Sequence, residues 1–171
     1  MASAEPASLT LEPGGVGLSF DPASLAVGED DGGPARSPWS VEGAIDWNAA
    51  DSLRLISAVF EDGRELAIAA LRMSGAAGHD AQSVASHLTE DAEIVAVEAA
   101  YLSTEYDSDG MPRRLGIELW TDPERAPLRV AADRQAPAAV SDEGARREST
   151  PMRFRLEGTR GVGLHEVLRP A

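Results

Sequence analysis

A chain of 171 residues has room for one domain with a real core, and its 29 acidic against 15 basic residues give a formal charge of -14. Every basic residue is Arg, and the acidic field repels polyanions, so neither nucleic acid nor an anionic membrane is an expected partner. The absence of cysteine excludes disulfides, a thiolate nucleophile and Cys-ligated zinc.

The first residues, "MASAEPASLTLEPGG", carry neither the basic nor the apolar stretch of a secretory leader. No apolar run approaches the ~20 residues of a membrane helix. A cytoplasmic location is expected. The excess charge reads first as a solubility device.

In chain order, "LTLEPGGVGLSF" (Leu9 to Phe20) suggests a strand segment, and "VGEDDGGPARSP" (Val27 to Pro38) an acidic Gly/Pro-rich linker. Residues 1–36 are therefore expected to form an N-terminal strand and linker, and 37–171 a β domain. "SLRLISAVF" (Ser52 to Phe60) and "ELAIAALRM" (Glu65 to Met73) flank "EDGR", whose Asp62-Gly63 is a strong hairpin signal. The alanines of the second run make it a helix competitor. "QSVASHL" (Gln82 to Leu88) leads through "TEDAE" into a long strand from Glu93 to Glu105. "DSDG" then turns the chain into "RRLGIELW", where Leu115, Ile117 and Leu119 alternate with polar residues. "LRVAAD" (Leu128 to Asp133) follows. The polar segment Arg134 to Thr150 reads as a long mobile loop. "MRFRLEG" and "GVGLHEVL" close the pattern around "GTRG". Turn signals every eight to twelve residues imply an all-β fold, with about eight to ten antiparallel strands in a barrel or strongly curved sheet. "GGVGLSF" (Gly14 to Phe20) and "RGVGLHE" (Arg160 to Glu166) echo each other as Gly-containing strands that curve or close a barrel.

The residues that can carry chemistry are few. His165 and Glu166 are adjacent on the last strand, so they point to opposite faces. If Glu166 faces an apolar interior, it is a carboxyl suited to general acid work; if outward, it is a surface residue near Arg neighbours. Asp46 beside Trp47 either sets a carboxylate against an aromatic wall or caps a turn. His79 and His87 lack a third ligand at convergent spacing, so no metal is expected. "DSDG" and "EDDGG" lack the ligand pattern of a calcium loop and read as turns. No catalytic Ser-His-Asp motif, P-loop or dinucleotide fingerprint is present, so no cofactor is expected.

"SPWSVEGAIDW" (Ser37 to Trp47), "FEDGREL", "TEYDSDGMPRRLGIELW" and "LEGTRGVGLHE" follow in an order that resembles the AttH/carotenoid 1,2-hydratase-like proteins, over roughly Ser37 to Leu168. The likeness is to the C-terminal half of their two-barrel architecture. It implies a lipocalin-like, calycin-type barrel with an apolar cavity for isoprenoid- or polyketide-like molecules, and hydration or cyclisation without a cofactor. The sequence departs from the family at Ser40, where Gly usually follows the Trp, and at Ile45, where Arg usually precedes Asp-Trp. It also lacks the full N-terminal barrel.

Two functions follow as expectations. One is a domain that binds a small apolar ligand in a pocket lined by Trp39 or Trp47, Phe60, Leu71, Tyr101 and Trp120, with Glu166 and then Asp46 as acid or base if it is an enzyme. The other is a non-catalytic assembly module, whose uncovered face forms a homodimer or docks a partner subunit.

Overall fold

The computed structural model describes residues 6–11, 16–27, 35–75, 82–141 and 145–170. In chain order its strands are β1 (Ala7–Leu11), β2 (Val16–Phe20), β3 (Ala26–Val27), β4 (Ala35–Arg36), β5 (Trp39–Glu42), β6 (Ala50–Phe60), β7 (Glu65–Met73), β8 (Gln82–Glu90), β9 (Glu93–Val95), β10 (Ala99–Tyr106), β11 (Pro112–Trp120), β12 (Leu128–Arg134), β13 (Ala139–Ser141), β14 (Ala145–Leu156) and β15 (Thr159–Pro170). The only helical piece among the described residues is one 3-10 turn at Pro22–Ser24.

The main sheet runs β10-β11-β12-β14-β15-β6-β7-β8-β9, with β13 on the flank of β14, and it is strongly curled into a half-barrel. Every pairing is antiparallel, as the turn-separated runs imply. A small sheet, β1-β2-β5, lies against it, and β3-β4 form a short ribbon.

Alternation along each strand sorts the core into two layers. Ile56, Ala58 and Phe60 of β6 point into the curl, where they meet Leu66, Ile68, Leu88, Leu115, Ile117, Leu119, Met152 and Phe154. The intervening Leu53 and Leu55 point outward. With Ala67, Ala69 and Leu71 they are covered by Leu9, Leu11, Leu18, Phe20 and Trp39 of the small sheet. β7 is therefore buried on both faces. That is why "ELAIAALRM" shows no polar alternation and invites a helical reading.

The hairpin turns stand where the Asp-Gly signals lie. Gly63 has φ +90° and Gly110 φ +78°, and each closes its turn with an N–H bond to the carbonyl three residues back. β15 carries the sharpest local constraint. Its Gly161 lies between Phe60 and Phe154 in register, and the two rings meet edge-on at 6.5 Å. A Cβ on Gly161 would come within 2.5 Å of the Phe60 ring, and one on Gly163 would fall on the Ser57 carbonyl oxygen. These glycines let β6 and β15 approach where the sheet curls. Of the two echoing segments, only this one shapes the curl, since β2 belongs to the small sheet.

Three expectations need correction. The strand expected from Glu93 to Glu105 is two strands: β9 pairs with β8 and β10 with β11, so the chain changes partner across Ala96–Glu98. Ile94 is 75% exposed as a result. The loop expected over Arg134 to Thr150 instead contains β13 and the first half of β14. Its polar residues form strand because their partners lie across the sheet on β15. The last hairpin turns at Glu157-Gly158, and "GTRG" is already mostly strand.

Candidate functional site at the closing strand

β15 lies between β14 and β6, so each of its residues has two cross-strand neighbours. His165 stands beside Thr150 and Ile56 and faces the inside of the curl; Glu166 stands beside Ser149 and Leu55 and faces the covered outer side. Both side chains are fully buried.

Glu166 is satisfied from three directions. Arg147 Nε donates to its Oε1 at 3.0 Å and Ser149 Oγ donates to the same oxygen at 2.8 Å. Ser37 Oγ donates to Oε2 at 2.7 Å. Ser37 in turn accepts from Arg147 Nη2 at 2.5 Å and from the Trp39 amide at 3.1 Å. The carboxylate thus ties the segment entering β5 to the middle of the main sheet. Its surroundings are polar, and it does not face the interior of the curl.

The inward side is different. Among the described residues, neither ring nitrogen of His165 has a hydrogen-bond partner, although the side chain is completely buried. Burial, with Arg54 and Arg169 as further causes and a loose contact to its own backbone, outside hydrogen-bond geometry, opposing them, pushes its pKa down to about 3, so the imidazole is neutral. Arg54, two register positions away on β6, reaches across the curl and donates to Thr104 Oγ1 of β10 at 2.6 Å. Burial lowers the pKa of Arg54, and Tyr106 opposes that effect. Arg54 and Thr104, joined by that bond, and the register neighbours His165 and Thr150 therefore form a polar tier on the inner side, bordered by Ile56 beside His165 and by Met152. A neutral imidazole offers one donor and one acceptor, and beside a guanidinium it can orient a carbonyl or hydroxyl oxygen.

The other candidates scatter. Asp46 is exposed and caps its own turn, accepting from the Asn48 amide at 3.0 Å. Trp39 is buried against Phe20, with ring centroids 5.2 Å apart, and Trp47 packs at the edge of the same outer layer, which also holds Leu71. Phe60 is in the inner layer. Tyr101 is 62% exposed and Trp120 half-buried. These six residues do not line one interior pocket, and none of the tryptophans is fully exposed. His87 rests near Phe20 at 6.1 Å, with burial lowering its pKa. His79 lies outside the described residues. No group of three metal-ligating side chains occurs among the described residues. Sequence reasoning did not reach Arg54, Thr104, Arg147 or Ser37, because their partners lie 19 to 129 positions away.

No family model and no curated protein matches this chain. Among solved structures it is similar to kievitone hydratase from Nectria haematococca, with 8% identity and a TM-score of 0.54 over 91% of this chain and 61% of that one. It is also similar to CghA, with 14% identity and a TM-score of 0.50 over 92% of this chain and 61% of that one. At these identities the likeness shows a related fold. The chain spans about 61% of the length of each.

Proposed function

We propose that this chain is a lipocalin-like domain that holds a small, largely apolar molecule by an oxygen function at the polar tier of Arg54, Thr104, Thr150 and His165. The observation that carries the reading is His165, a buried imidazole whose nitrogens find no partner in any other described residue. An unsatisfied buried polar group costs about 1–3 kcal/mol. A side chain kept at that cost, aimed into a β curl next to a cation, is the kind of group that meets a ligand. The likeness to a protein named a hydratase and the resemblance to the AttH/carotenoid-hydratase-like sequences support an isoprenoid- or polyketide-like ligand. They also support cofactor-free addition of water to it, with His165 and Arg54 polarising the oxygen. In this reading Glu166 is a structural tie, and Asp46 a turn cap.

The test is a retinoid-type fluorescent probe titrated into the wild type and His165→Leu. Leucine removes the unpaired nitrogens, so the variant is expected to melt higher while losing probe binding. A variant that melts lower and still binds the probe refutes the proposal.

A further inference from the structure

On the outer side of β6, β12, β14 and β15, a groove of about 890 Å³ opens. Its floor is Val59, Ala131, Gly161 and Val162, and its flank is Arg153, Arg155 and Arg160. Through Ala131 and Arg155 it continues into a second groove of about 660 Å³ that reaches Gly116 and Tyr101. Val162 is 44% exposed and Tyr101 62% exposed, so the floor presents apolar surface to solvent.

The cations are placed against the grain of the chain. Arg155 stands directly opposite Arg160 across the β14–β15 hairpin, and Arg153 opposite Val162. Like charges in directly opposed positions destabilise a sheet. Arg153, Arg155 and Arg160 make no ion pair and no side-chain hydrogen bond among the described residues, in a chain with 29 acidic residues. Two acids share the groove: Asp133 stands opposite Arg153 across β12 and β14 but pairs with Arg114 at 3.2 Å, and Glu61 makes no ion pair among the described residues.

We infer that this groove is a binding site for an amphipathic carboxylate, whose head lies among Arg153, Arg155 and Arg160 and whose tail lies along Val162 and Ala131 towards Tyr101. The guanidinium fork matches a carboxylate bidentately. The volume falls in the ~300–1,000 Å³ range of small-molecule sites. A nucleic acid would meet the net charge of -14. A second copy docking by this face in a two-fold contact would bring the same arginines towards their counterparts.

Decanoate is the probe, with octyl glucoside as the uncharged control, followed by calorimetry and by backbone amide shifts. Decanoate is expected to shift the amides of residues 131 and 153–162, and to bind more weakly as salt rises. The double variant Arg155→Gln/Arg160→Gln should weaken decanoate binding by about tenfold or more without lowering the melting temperature, since it relieves a repulsion. Octyl glucoside should be unaffected. His165→Leu should leave these shifts unchanged, which separates this site from the interior one. Unchanged decanoate affinity in the double variant, shifts confined to other residues, or a sedimentation mass that falls with these substitutions would each overturn the proposal.

Discussion

Gly163→Ala tests the curl at its tightest point. The new methyl would sit on the Ser57 carbonyl oxygen and within 2.8 Å of both Ala58 Cα and Ser57 C. The carbonyl oxygen sets the demand: it would lie well inside a contact distance of roughly 3.2 Å or more, so β6 and β15 would have to part locally by about 1.4 Å. Neither strand can yield cheaply, because each is hydrogen-bonded on both sides. Overpacking against side chains costs about 1–3 kcal/mol; against backbone in a central strand we expect about 3–5 kcal/mol. That is a large share of a stability of ~5–15 kcal/mol. For a domain of this size each kcal/mol lowers the melting temperature by about 2–4 °C, so the loss is on the order of 6–20 °C. Urea melts followed by circular dichroism give the free energy directly. Gly116→Ala is the control, since a Cβ there meets nothing closer than 4.0 Å, and it should change stability by less than ~0.5 kcal/mol. If Gly163→Ala also loses less than about 1 kcal/mol, the reasoning about β15 is wrong.

The folded-state pKa of His165, about 3, lies below its ordinary value of 6.5. The unfolded chain therefore takes up the proton first, and the contribution is whole above pH 6.5 and lost as pH falls towards 3. At pH 5 the wild type should have lost about 2 kcal/mol that His165→Leu retains; parallel stability curves for the two would contradict this. Asp91 and Ala92 turn β8 into β9 with φ +53° and +63°, so Ala92→Gly should gain about 0.5–1 kcal/mol, and a loss on thermal melting would count against that turn. Arg147→Met leaves the buried Glu166 with two hydroxyl donors and should cost about 2–4 kcal/mol, less than a fully buried pair because Arg147 is 28% exposed. A melt like that of the wild type would remove Glu166 from its structural role.

The hairpins were legible because each carries its instruction locally. Asp62-Gly63 and Asp109-Gly110 need no distant partner to turn the chain. The strand alternation of Leu115, Ile117 and Leu119 was equally plain, since one face is wet. Legibility failed where both faces are covered. From Gly163 to Leu168 every residue is buried, so no alternation in β15 says whether His165 or Glu166 faces inward. It failed again at Arg146 to Ser149, a polar run that is strand because Glu166 and its neighbours lie opposite. A charged strand looks like a loop until its partner is known. The AttH-like resemblance led to a related fold, but the residues it nominated as a pocket are divided between two layers.

The position of β15 also sets an order of events. Before residue 159 the described strands of the main sheet form two separate meanders, β6 to β9 and β10 to β14, with no pairing between them. β15 joins them by pairing Val162 with Val59, about a hundred positions earlier. Contacts of such separation are slow to form. A nascent chain of this sequence therefore holds the edges of β6 and β14 unpaired, besides the outer edges on β9 and β10, until its last described strand has been synthesised. Edges of that kind recruit other chains, so the interval before β15 emerges is the one most open to pairing with the wrong strand.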